Sequence, residues 1–343
     1  MNELLWTGAA RFSTIGMFIL LLGAFLELAR TLLLPIVSAA VISLMLGPLA
    51  SYATARRIPA WVFATAVLLL LIGALNITIV LMSAPIVEWV GKTPDIAASF
   101  GEKLHFLDRF LGALRDLQDA VSGQGGGNDL RIELSSFVQT LISLLTPAIG
   151  ELVVFSAALF FFLLGRNDIR RHLVLFFESR QARIAALRTL NEAERELTDY
   201  VVTVSTINIA IGLLTALGAY LIGLPSPVTW GALAFGLNYI PYIGPAIMIV
   251  ILFMVGLVVF PSLGHATIAP ILFVAMTTGE GHFVTPSLIG KRLTLSPLLV
   301  FLALAFWTWL WGPIGAFLAT PLLIVGTVVV KHTLPADEID LPS

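Results

Sequence analysis

The sequence contains no cysteine. That excludes disulfides, thiolate metal sites and cysteine nucleophiles. The five histidines, His105, His172, His265, His282 and His332, are scattered and show no zinc-ligand spacing. No Gly-x-x-x-x-Gly-Lys-Ser/Thr loop is present to cradle phosphates, so ATP does not drive this chain directly. His-Glu-x-x-His and Gly-x-Ser-x-Gly are absent too, which argues against a hydrolase. No cofactor or metal is implied, and the chain reads as a non-enzyme. Charge is also scarce: only 12% of the 343 residues are charged, with a formal net of −2, and nothing suggests nucleic acid as a partner.

What fills the chain instead is apolar: 58% of residues are hydrophobic. Several apolar runs exceed the ~20 residues needed to cross a bilayer as helix. They lack the period-2 alternation of a barrel strand, so the expected class is an all-α polytopic membrane protein with about eight membrane segments. Residues 1–84 hold three spans, the first two split by Glu27 and Arg30, where a turn in water is expected. Residues 85–140 are polar, carry an amphipathic helix over 100–114, and are read as extracytoplasmic. A fourth span covers 141–165. Residues 166–199 carry seven arginines and can place Leu173, Phe177, Ile184, Leu187 and Leu190 on one face. This amphipathic helix either lies on the membrane surface or packs as an ordinary connecting helix. Its arginines, with Arg56 and Arg57, put it in the cytoplasm. Both termini, including the tail 333–343, are then cytoplasmic, in a bacterial-type inner membrane.

Residues 200–332 form the expected transport core. A fifth span ends at Gly223-Leu-Pro-Ser-Pro227, and an apolar run of about 33 residues follows, too long for one untilted span. Its middle reads Asn238-Tyr239-Ile-Pro241-Tyr242-Ile-Gly244-Pro245. A re-entrant hairpin fits this length, with a proline-kinked full span as the alternative. The pattern recurs: Ser226-Pro227 leads to Gly244-Pro245, and Ser296-Pro297 leads to Gly312-Pro313. Each unit follows a span, so the second unit would be inverted relative to the first. Hairpins at both breaks would also leave Lys291, Arg292 and Lys331 inside.

"GLPSPVTWGALAFGLNYIPYIGP" and "GEGHFVTPSLIGKRLTLSPLLVFLALAFWTWLWGPIGAFLATPLLIV" closely resemble the autoinducer-2 exporter family of permeases. The resemblance covers most of the chain and is specific over Gly223–Pro245 and Glu280–Pro321. It implies a secondary transporter, with members tied to export of the quorum-sensing signal autoinducer-2 and others to sodium or proton antiport. The family often has Glu-x-Asn ahead of the Thr-Pro; here the stretch reads Glu280-Gly281-His282.

Glu280 is the only carboxylate between Asp199 and Asp337. A carboxylate in hydrocarbon must face a polar cavity, be protonated or find a partner, which suits a proton carrier or cation ligand. His282 would point away from it on a regular helix, and only a distorted segment unites the two. Asn238, Tyr239 and Tyr242 offer hydrogen-bonding groups at the first break, and Pro241 and Pro245 leave carbonyls unpaired there. The tyrosines could alternatively anchor at an interface. Trp307 and Thr308 precede the second break, and Asn208 in the fifth span could join the cavity. The expected function is export of a small polar, autoinducer-2-like solute, coupled to protons or sodium. A monovalent cation/proton antiporter and a non-transporting scaffold are the alternatives. The lipid bilayer and further copies of the chain are the expected partners.

Overall fold

The computed structural model describes residues 2–91, 134–284 and 296–333. Most of the polar 85–140 region, its expected helix at 100–114, the Lys291-Arg292 pair and tail residues 334–343 lie outside the described residues. Among those described there is no strand. The helices are α1 (Asn2–Leu28), α2 (Arg30–Met45), α3 (Gly47–Ala55), α4 (Ala60–Gly91), α5 (Leu134–Leu164), α6 (Arg166–Leu175) and α7 (Arg180–Leu221). They continue with α8 (Pro227–Leu237), α9 (Ile243–Val259), α10 (Leu263–Ala266), α11 (Ile268–Gly279) and α12 (Pro297–Thr333).

Three helices are long and apolar enough to cross a membrane: α4 over Ala60–Val80, α7 and α12. Two bent pairs raise the number to five, Ser13–Leu28 with Arg30–Met45 at 90° and Ala148–Leu164 with Arg166–Leu175 at 72°. The described helices thus give three to five candidate spans by length and composition, not the finer division into eight with an inverted repeat. Only 6% of the α4 window is buried, and Leu69, Leu70, Ile77 and Val80 are each more than 60% exposed. An apolar surface of this extent needs lipid or protein against it.

The charged 166–199 segment and the fifth span are not separate elements. After α6 and a short bend, α7 runs uninterrupted for 42 residues. At ~1.5 Å per residue it is roughly 63 Å long, about twice the hydrocarbon thickness. Its arginine- and glutamate-bearing N-terminal half is the part whose charges belong in water.

The chain divides into two compact units. One comprises Met1–Leu69, Ile142–Val201 and Leu293–Ser343; the other comprises Leu70–Leu141 and Val202–Arg292. In the first, the core joins Leu34 and Val41 of α2 to Leu310, Trp311 and Leu318 of α12. The α1–α2 bend occurs at Ala29 alone, without a loop. Trp311 Nε1 donates to the Leu26 carbonyl at 3.3 Å just before that bend.

In the second unit, Ile207 and Ile211 of α7 pack with Trp230 and Ala234 of α8, Met248, Leu252 and Val255 of α9, and Phe273 of α11. Here α7 and α8 cross almost backbone to backbone. A Cβ on Gly231 would stand 2.5 Å from the Gly212 carbonyl oxygen, an approach only small residues permit. The pairs 212–231, 208–238 and 205–239 run in opposite senses along the chain, so the two helices are antiparallel.

Candidate functional site

The first proline-glycine break separates α8, 11 residues, from α9, 17 residues. Their lengths of roughly 16 and 26 Å each fall short of the ~30 Å core, and the two pack against each other. The chain folds back so tightly that a Cβ on Gly244 would stand 1.8 Å from the Leu237 carbonyl oxygen, seven residues earlier. Along a straight helix those residues would be about 10 Å apart. The turn is built on Tyr242 (φ 63°, ψ −51°). The Ile243 N–H donates to the Pro241 carbonyl at 2.6 Å around it, the pattern of the rare γ-turn with positive φ. Such a conformation costs on the order of 1–3 kcal/mol. Pro245 lies in the first turn of α9, where an N–H has no intrahelical acceptor and its absence is cheap.

Just before that turn sits a compact polar cluster inside otherwise apolar packing. Asn238 Nδ2 donates to Asn208 Oδ1 at 2.8 Å, and the Tyr239 hydroxyl donates to Ser205 Oγ at 2.7 Å. Asn208 is 1% exposed, and its own Nδ2 is buried without a partner. A buried unpaired amide group costs about 1–3 kcal/mol. A second polar molecule in the cluster would remove that cost.

The sequence reading named Asn208, Asn238 and Tyr239, and the structure brings these three together. Ser205 was missed, although it lies three residues before Asn208, on the same helical face. Thr206 instead bonds back to the Val202 carbonyl of its own helix. Tyr242 stands apart from the cluster at 60% exposure, shaping the backbone of the turn.

In the same unit, α11 packs along α9 and ends in a π-helical turn, Glu280–Val284. Such turns are rare and occur mostly at functional sites. The regular helix is therefore lost at the glycine-flanked glutamate. Glu280 is half-buried, while His282 is exposed and its Nδ1 lies 2.9 Å from the Thr278 carbonyl of its own helix.

The second break, in the other unit, has the same local construction. Gly312 (φ 65°, ψ −147°) interrupts α12 in a region open essentially to glycine alone. Pro313 then opens the second arm. A Cβ on Gly315 would stand 2.0 Å from the Trp307 carbonyl oxygen, eight residues back, against about 12 Å along a straight helix. The arms of 15 and 21 residues, 297–311 and 313–333, so replace a single rod. Thr308 Oγ1 is buried without a partner, and the Trp307 and Trp311 rings meet at a tilt of 46° with centroids 4.8 Å apart. Arg30, read from sequence as part of a turn in water, places Nη2 3.2 Å from where a Cβ of Gly312 would be.

Helices that are apolar all round, broken at proline-glycine turns and carrying buried polar clusters, define a polytopic membrane transport protein. Residues 15–335 match the model of the AI-2E family transporter, and the chain belongs to that family. It is 24% identical to the AI-2 transport protein TqsA of Escherichia coli (strain K12) over 340 residues, 95% of this chain and 92% of that protein. It is also 24% identical to YhhT of the same strain over 312 residues, 89% and 86% of the two chains. A transport protein of Borreliella burgdorferi is 31% identical over 150 residues, 43% and 41%.

Proposed function

We propose that this chain is a secondary transporter that exports a small, uncharged, hydroxyl-bearing solute of the autoinducer-2 type. Its binding groups are Asn208, Asn238, Tyr239 and Ser205 at the first helix break. The observation that carries the reading is the fully buried Asn208 amide with a group left unpaired. A solute oxygen completes that amide and competes for the Asn238 and Tyr239 donors. Burial in an apolar surround makes such hydrogen bonds discriminating, because a solute lacking the hydroxyl leaves protein groups unpaired. Glu280, at its π-helical turn, carries the coupling proton or sodium ion, and the strained Tyr242 turn is the point at which the hairpin rearranges. The second break, at Gly312-Pro313, is the corresponding element of the other unit.

The test is efflux of labelled autoinducer-2 from proteoliposomes containing wild type, Asn208→Leu or Glu280→Gln. Asn208→Leu is close to isosteric and costs about 1 kcal/mol of stability, yet should abolish solute flux. Glu280→Gln should retain downhill flux and lose its dependence on the proton or sodium gradient. Wild-type efflux by Asn208→Leu would refute the site. Sodium flux without any organic solute would identify a cation/proton antiporter instead.

A further inference from the structure

The unit that holds α6 and the charged half of α7 contains a cleft that the transport reading does not use. A cavity of about 490 Å3 lies among Ala186, Leu190, Val329 and His332 and reaches Thr333, where α12 ends. Its α7 wall is mostly alanine: Ala182, Ala185, Ala186 and Ala193. Their three- and four-residue spacing sets them on one helical face, and their small side chains leave the space open. A second cavity, of about 260 Å3, is lined by Arg166, Arg170 and Glu194 among others. Leu44, Leu173 and Leu190 line both, so the two adjoin.

The smaller cavity is cationic. Arg166 Nη2 and Arg170 Nη1 both donate to Glu194 Oε2, at 2.7 and 2.8 Å. Two guanidinium groups thus share the one carboxylate in its lining, and one positive charge is left over. Arg166 Nε is also buried without a partner. The surrounding sequence has the same sign, since residues 166–188 carry six arginines against two carboxylates.

The cleft follows the half of α7 whose charges belong in water, so its apolar walls mark a surface that something covers. The chain holds a segment that fits. Residues 334–343, Leu-Pro-Ala-Asp-Glu-Ile-Asp-Leu-Pro-Ser, continue directly from Thr333 in the cleft wall. Asp337, Glu338 and Asp340 are acidic, Leu334, Ile339 and Leu341 are apolar, and no residue of the ten is basic. Reach is sufficient. The α7 wall from Ala182 to Glu194 is about 18 Å long, and Asp340, seven residues past Thr333, lies up to about 23–25 Å away in extended chain. A segment tethered at the cleft is also present there at an effective concentration in the millimolar range.

We infer that residues 334–343 dock in this cleft, with Asp337, Glu338 and Asp340 toward Arg166 and Arg170, and Leu334 and Ile339 against Leu173, Leu190 and Val329. The docked segment ties the end of α12 to α6 and α7, adding to the pairing of Lys331 and His332 with Glu192.

The chain has no cysteine, so a single introduced thiol reports on the cleft. The test is the rate at which a water-soluble maleimide labels Ala186→Cys in the full-length protein and in a chain ended at Thr333. Removing residues 334–343 should speed labelling about tenfold, the ratio for a segment at roughly 1 mM effective concentration and a Kd of roughly 0.1 mM. Arg195→Cys, at a side chain 71% exposed and outside the cleft lining, should label equally in both. Asp337→Lys, Glu338→Lys and Asp340→Lys together, in the full-length chain, should also speed labelling of Ala186→Cys, and serve where the shortened chain does not fold. Ile339→Cys with Leu190→Cys should close a disulfide within one chain on mild oxidation, seen at monomer mass. Equal labelling of Ala186→Cys with and without residues 334–343 would overturn the inference and leave the cleft to lipid, detergent or another protein. Charge reversal without effect would overturn the placement at the arginines. A disulfide at dimer mass would overturn docking within the chain and assign the cleft to a second copy.

Discussion

Replacing Gly244 by alanine tests the tight reversal on which the candidate site depends. The new Cβ would lie 1.8 Å from the Leu237 carbonyl oxygen and 2.6 Å from its carbon. A relaxed carbon–oxygen contact needs about 3.3 Å, so the end of α8 must move by about 1.5 Å. Asn238 and Tyr239 follow Leu237 directly, and their bonds to Asn208 and Ser205 are already at 2.8 and 2.7 Å, too short to survive such a shift. Two hydrogen bonds at about 0.5–1.5 kcal/mol each, plus overpacking of about 1–3 kcal/mol, give a loss of roughly 2–6 kcal/mol. That is a large part of a typical stability of about 5–15 kcal/mol. The control is Gly236→Ala, one residue before Leu237, where a Cβ meets nothing within 4 Å. In the last turn of α8 it should be neutral or gain up to about 1 kcal/mol in helix propensity. Thermal unfolding in detergent reads stability, and proteoliposome efflux reads the site. If Gly244→Ala unfolds and transports like Gly236→Ala, the chain does not turn back at Leu237 and the polar cluster is not assembled as described.

The second break should respond in the same way. Gly315→Ala should be destabilising, and Gly326→Ala, with nothing near its Cβ, should be neutral by the same assay. Glu194→Ala removes the shared carboxylate from two largely buried arginines and should cost about 3–5 kcal/mol by denaturant titration. Hydrogen bonds from Lys331 first and then His332 hold the Glu192 carboxyl below the ordinary carboxylate range. Its contribution is therefore present above the unfolded value of about 4.3 and is lost as pH falls through the lower folded value. Thermal midpoints measured against pH should show that loss in wild type and not in Glu192→Gln. Burial, and then the neighbouring Glu192, push the Glu196 carboxyl up, so its charge costs stability at neutral pH. Glu196→Gln should raise the midpoint at pH 7 and change nothing below about pH 4.

Composition and local stereochemistry settled part of this protein in advance. Long apolar runs without alternation left only membrane helices. Pro241, Pro245, Gly312 and Pro313 marked where those helices break, because a missing N–H or a positive φ belongs to the residue itself. The same stretches carried the family resemblance, and the density of arginines marked the part of α7 that belongs in water. Tertiary structure decided the rest. Whether Asn238 meets Asn208, 30 positions earlier, depends on how closely α7 and α8 approach at Gly212 and Gly231. Nothing local to either asparagine records that distance. The fusion of the charged helix with the fifth span, the α1–α2 bend against Trp311 and the pairing of Arg166 with Glu194 are likewise contacts between distant parts of the chain. Their energies come from packing and desolvation, which no single stretch of residues contains.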